Sequence, residues 1–135
     1  MNRVFIDSSA IIAYYCIRDE NHHLAEARLK KLRDENGRMF LTDYIFDECI
    51  TGIMSGAGHT QASMAGRFIL ESSIMSIVWL DQEIKLRAWE YFIKHDDKEY
   101  SFTDCTSFVL MKEMDLRYYL AFDRHFEQAG FRSFS

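Results

Sequence analysis

The sequence predicts an α/β protein, a three-layer α/β/α sandwich built on a central parallel sheet. Three observations lead there. Short apolar runs recur at Arg3–Ile6, Met39–Leu41, Ile74–Leu80 and Tyr118–Phe122, and they lack the polar/apolar alternation of a half-exposed strand. Segments of helical length and period separate them. Right-handed crossovers between parallel strands then put helices on both faces of the sheet.

The elements follow in order. Arg3–Ile6 reads as a buried strand closed by Asp7. Ser8 or Ser9 is the expected cap of a helix from Ala10 to about Ile17, and Asp19–Asn21 is a polar break. From His22 to Asn36 the residues Leu24, Ala25, Leu29 and Leu32 make one apolar stripe, with Gly37 as the expected stop. After Met39–Leu41, Thr42 or Asp43 caps a helix carrying Ile45, Cys49, Ile50, Ile53 and Met54 on one side. Gly56 and Gly58 are expected to end it, ahead of a helix from about Thr60 to Glu71. Asp81, after the third strand, caps a helix with Ile84, Ala88, Trp89 and Phe92. The polar loop HDDKEYS leads to a helix beginning near Thr103, and Phe131–Phe134 is a short fifth strand. Proline is absent, so glycines and polar clusters do the punctuation.

Composition narrows the function classes. A chain of 135 residues fits one domain, residues 1–135, able to bury a core without disulfides. With 48% hydrophobic and 27% charged residues it reads as globular rather than disordered. The apolar runs are too short to span a bilayer, and Ser8 and Ser9 interrupt any signal-like run after MNRVFID, so a cytoplasmic protein with no membrane role is expected. Cys16, Cys49 and Cys105 form no C-x-x-C pair and read as buried thiols. The histidines His22, His23, His59, His95 and His125 lack H-x-x-x-H spacing, which argues against a zinc enzyme. A net charge of −5 excludes a broad basic face that coats nucleic acid. It leaves room for a nuclease that neutralises phosphate with cations held by its own carboxylates.

Four acids stand out. Asp7 in VFIDSSA and Asp123 in LAFDRHF are each the first polar residue after an apolar strand, at the end where such sheets place their functional crevice. Asp104 in SFTDCTSF opens a helix. Each of the three has a plain alternative as a helix cap, with Thr103 or Asp104 capping the last. Glu48 in DECITGI lies past any capping position, beside apolar Cys49, with Asp47 as its solvated neighbour. If the first and fourth strands are adjacent, Asp7 and Asp123 face one crevice with Asp104 nearby. Carboxylates gathered so closely are tolerated with a cation among them, and an oxygen-only set suits Mg²⁺ or Mn²⁺.

The segments VFIDSSAIIAYY, TDYIFDECIT, YSFTDCTSF and YLAFDRHFEQAGF together resemble the PIN-domain nucleases, in particular the small VapC-like toxins. The resemblance spans nearly the whole chain, keeps the order and context of all four acids, and extends to RDENHH before the second helix. It implies a PIN-like α/β/α fold, metal-dependent endoribonuclease activity leaving a 5′-phosphate and a 3′-hydroxyl, homodimers, and often an antitoxin partner that blocks the site. By carry-over, Asp7, Glu48, Asp104 and Asp123 form the catalytic and metal-binding set, with Ser8 or Ser9 orienting metal or water.

Other residues carry rival readings. Arg124 and His125 fit a phosphate contact, but an exposed turn explains them equally well. Arg28, Lys30, Lys31 and Arg33 alternate with acids and read as a solvated helix face. Tyr14, Tyr15, Trp89, Tyr118 and Tyr119 read as core or dimer interface rather than base-stacking platforms. His22 and His23 mark a helix start and receive no chemistry. Against the enzyme stands a non-catalytic PIN-like adaptor, for which loss of an acid would be the usual sign. A phospho-acceptor receiver domain would use Asp81 as acceptor, but it lacks an acidic pair after the first strand and a lysine after the last. No G-x-G-x-x-G follows the first strand, which disfavours a dinucleotide fold.

Overall fold

The computed structural model describes residues 2–135. The chain runs β1 (Arg3–Ile6), α1 (Ser8–Tyr15), α2 (His22–Asp34), β2 (Arg38–Thr42), α3 (Asp43–Ala57) and α4 (His59–Glu71). It continues through β3 (Met75–Val78), α5 (Gln82–Lys94), α6 (Phe102–Glu113), β4 (Tyr118–Leu120), α7 (His125–Gln128) and β5 (Arg132–Ser133). The five strands form one all-parallel sheet in the order β3-β2-β1-β4-β5. In one group of helices α1 packs on α2 and α3, and α3 on α4; in the other α5 packs on α6, and α6 on α7. Successive crossovers run one way as far as β3 and return to β4, so right-handed connections put the two groups on opposite faces. The predicted sandwich is present. Its order also differs from the 2-1-3-4-5 sheet of receiver domains.

Burial explains the unalternating strands. Val4, Phe5, Ile6 and Leu41 are fully enclosed, and Phe126 packs edge-on against Phe108 with ring centroids 5.0 Å apart. Helix α6 is buried from Asp104 to Met111, and its interior hydroxyls are satisfied locally: Thr106 and Ser107 donate to the Thr103 carbonyl at 2.6 and 3.1 Å. All three cysteines are buried and free. No helix among the described residues is long and apolar enough to cross a membrane.

Several local expectations need correction. Asp7 caps α1, as the plain alternative for that residue had it, and Ser8 and Ser9 lie inside the helix. Thr42 caps α3 by accepting from Ile45 N at 3.0 Å, while Asp43 accepts from Leu80 N at 3.0 Å. Helix α3 runs through Gly56, and Gly58 (φ 95°) separates it from α4, which starts at His59. The left-handed residue after α2 is Asn36 (φ 56°), not Gly37. The amides of Asn36 and Gly37 donate to the carbonyls of Arg33 and Leu32, a Schellman closure. Gly37 is needed for another reason, because a Cβ there would collide with the Leu32 side chain. The third strand covers only Met75–Val78, since Trp79 turns to solvent and Leu80 is held by Asp43. The fourth and fifth strands are likewise shorter than Tyr118–Phe122 and Phe131–Phe134.

Candidate active site

β1 is flanked by β2 on one side and β4 on the other, and chain direction across the sheet switches there. Open α/β sheets form their crevice beyond the strand carboxyl ends at such a point. Asp7 leaves β1 and Asp123 follows β4, so the sheet itself delivers both to this crevice. The Asp7 amide donates to the Leu120 carbonyl at 3.0 Å, fixing the two strand ends together. Ser9 reinforces the join: its Oγ accepts from Phe122 N at 3.1 Å and donates to Asp7 Oδ2 at 2.8 Å.

The other two acids arrive on helices. Glu48 lies in the second turn of α3, half-buried, and its Oε1 accepts from Ser8 Oγ at 2.9 Å. Asp47 is exposed, as expected of a solvated neighbour. Asp104 is the third residue of α6 and does not cap it. Ser101 does, and Asp104 returns the bond by accepting from Ser101 N at 3.0 Å, a capping box. The reading of Thr103 or Asp104 as the cap therefore fails by two or three residues.

His125, which the sequence left open between a phosphate contact and an exposed turn, lies at the candidate site. It opens α7, two residues beyond Asp123, and its Nδ1 lies 2.8 Å from Asp104 Oδ2 and 4.0 Å from Asp123 Oδ1. The Asp123 carboxylate also accepts the His125 amide at 2.9 Å, and the imidazole meets the Tyr100 ring edge-on. The only signal in the sequence was position: the D-x-H pattern sits at a strand end already holding an acid. Arg28 also departs from its expected solvated face, because its guanidinium lies 5.5 Å from the ring centroid of Phe122, the residue before Asp123. Arg124 is exposed.

Asp104, Asp123 and His125 bring one donor atom each within 4.8 Å of one another. Asp7 and Glu48 flank that trio rather than joining it at the same closeness. Their electrostatics register the crowding. Burial is the main force pushing the Asp7 carboxyl up to about 7, with Asp123 and Asp104 adding to it and the Ser9 bonds opposing it. Burial likewise raises Glu48, opposed by Ser8 and assisted by the Asp104 and Asp47 charges. Among the described residues no lysine or arginine forms an ion pair with any of the four acids. Asp7 and Glu48, penalised by burial and by neighbouring acids, together with Asp104 and Asp123 make an oxygen donor set that a hard divalent ion fits.

Comparison with known proteins agrees with the fold. The PIN-domain family model matches residues 4–132. The 23S rRNA-specific endonuclease VapC20 of Mycobacterium tuberculosis is 30% identical over 129 residues, covering 95% of both chains. A VapC ribonuclease of Archaeoglobus fulgidus is 27% identical over 123 residues, 90% of this chain and 77% of its own. The crystal structure of VapC20, a sarcin-ricin loop cleaving toxin, superposes with a TM-score of 0.85 at 29% identity, covering 95% of each chain. With the fold, the strand order and a family match over nearly its full length, the chain belongs to the PIN-domain family.

Proposed function

We propose that this chain is a Mg²⁺- or Mn²⁺-dependent endoribonuclease and the toxin of a toxin–antitoxin pair. Four carboxylates converging without a lysine or arginine partner at the sheet's switch point is the observation that carries the reading. Asp7, Glu48, Asp104 and Asp123 would hold the cation, with His125 at their edge. A divalent ion held there supplies Lewis-acid stabilisation of the phosphoryl oxygens and a water of lowered pKa.

The chain's own groups do the rest. Ser9 locks the Asp7 carboxylate and Ser8 orients Glu48, so neither acid swings away from the centre. Glu48 keeps this hold half-buried, with Asp104 near enough to bear on its charge. Asp123 is the more exposed member and marks the side from which a phosphodiester enters. Arg124, next to it in the chain and exposed, would contact phosphate, with Arg28 over the Phe122 ring as a second cation near that edge. Hydrolysis on this plan leaves a 5′-phosphate and a 3′-hydroxyl.

Two partners belong to the same reading. A homodimer is supported by the exposed stripe Leu86, Trp89 and Ile93 on α5, where Phe92 stacks on Trp89 at 5.8 Å. Light scattering that finds only monomer at micromolar concentration would contradict it. An antitoxin is supported by an apolar groove of about 370 Å³ lined by Ile11, Leu29, Phe68 and Ile69, which suits an amphipathic helix.

The test is cleavage of RNA, beginning with 23S rRNA because that is the substrate named for VapC20. Activity should require Mg²⁺ or Mn²⁺, vanish in EDTA and return when metal is restored. Cleavage unchanged in EDTA, with contaminating nuclease excluded, would overturn the reading.

A further inference from the structure

α2 opens on His22 and His23, and Glu26 follows four residues after the first and three after the second, within reach of both. His22 is buried, and its Nδ1 lies 2.8 Å from the Ala13 carbonyl of α1. A carbonyl oxygen only accepts, so Nδ1 carries the proton of that bond. The other nitrogen, Nε2, points at Glu26 Oε1 from 3.3 Å. His23 Nδ1 approaches the same oxygen at 3.5 Å. With Nδ1 engaged by the carbonyl, Nε2 is the nitrogen that His22 turns toward the carboxylate.

The spacing fits a metal ion in that position. Ligand atoms 2.0–2.1 Å from a tetrahedral centre stand about 3.3–3.4 Å from each other. The two nitrogen–oxygen separations here are 3.3 and 3.5 Å, and all three donor atoms lie within 4.8 Å of one another. Two imidazoles and one carboxylate are a donor set for Zn²⁺ and its first-row neighbours, whereas Mg²⁺ prefers oxygen alone. The bond from Nδ1 to a backbone carbonyl is the outer contact that fixes the ring of a metal-ligating histidine. We propose that His22, His23 and Glu26 form a second cation site, for a transition-metal dication of the Zn²⁺ class, separate from the acidic centre. Through the Ala13 contact it clamps the first turn of α2 to α1, the helix that begins at Asp7. The H-H-x-x-E spacing falls outside the H-x-x-x-H pattern, which is why it carried no zinc signal.

The test titrates the metal-stripped full chain with Zn²⁺ by calorimetry, and separately with Co²⁺, whose visible bands report tetrahedral coordination. His23→Ala and Glu26→Gln are the variants, because the His23 side chain is 96% exposed and neither change removes the buried His22. Each variant should lose one Zn²⁺ equivalent, or bind it at least about 100-fold more weakly, and lose the tetrahedral Co²⁺ spectrum. Each should keep the melting shift produced by Mg²⁺, which belongs to the acidic centre. His22→Ala should lose the same equivalent, and it is read only if the far-ultraviolet spectrum shows it folded. Wild-type Zn²⁺ stoichiometry, affinity and Co²⁺ spectrum in His23→Ala or in Glu26→Gln would overturn the site.

Discussion

Asp7→Asn isolates the electrostatic cost of the acidic centre. The carboxyl is raised from 3.8 to about 7, burial being the larger cause and the neighbouring acids the smaller. Below the ordinary value both folded and unfolded chains hold the proton. As pH rises from there, the unfolded chain releases it and the folded chain does not. Stability is therefore lost through the window from 3.8 to about 7 and levels off above it. At about 1.4 kcal/mol per pH unit, the plateau cost is about 4 kcal/mol. Asparagine carries no charge at any pH and can still cap α1 by accepting the Ser9 amide. It weakens the Ser9 hydroxyl bond, at about 1 kcal/mol. The metal-free variant should then be more stable than wild type by about 3 kcal/mol near pH 8 and nearly equal to it near pH 5. In excess Mn²⁺ the order reverses, because only the wild type gains the full stabilisation of binding. Urea unfolding at both pH values, in EDTA and in Mn²⁺, measures all four quantities. Equal pH dependence in wild type and variant would refute the reasoning.

Three further outcomes are expected. Asp104→Asn should leave metal-free stability within about 1 kcal/mol by urea melts, since lost repulsion is offset by a weaker capping box and a weaker His125 contact. Its RNA cleavage rate should fall at least about 100-fold. Thr42→Ala removes the buried cap of α3 and should cost about 1–2 kcal/mol in the same melts, with Glu48 misplaced enough to slow cleavage. Phe126→Ala empties a fully buried site against Phe5, Phe108 and Tyr119 and should cost about 3–5 kcal/mol.

The layers were legible because parallel strands covered on both faces must be apolar throughout, and Val4–Ile6 and Leu41 are. The acids at Asp7 and Asp123 were legible because a polar residue ending such a run marks the sheet's functional edge. What hid was whatever depends on a partner distant in the chain. That β1 neighbours β4 rests on contacts between residues more than a hundred positions apart, such as Phe122 N to Ser9 Oγ. His125 looked like an exposed turn because only the fold brings it to Asp104, 21 residues earlier. The caps read at Ser8 or Ser9 and at Thr103 or Asp104 were misplaced for a smaller reason. Several residues beside each helix start have the right chemistry, and backbone geometry alone selects among them.

A mutant cycle on cleavage shows whether the four carboxylates act as one cation-holding unit. RNA cleavage in saturating Mg²⁺ would be compared for wild type, Glu48→Gln, Asp104→Asn and the double variant. Residues that act as a unit are strongly non-additive. Each single variant should lose activity by orders of magnitude, and the double should be no slower than the slower single. Losses that multiply in the double variant, or a single variant that cleaves at the wild-type rate, would contradict the account.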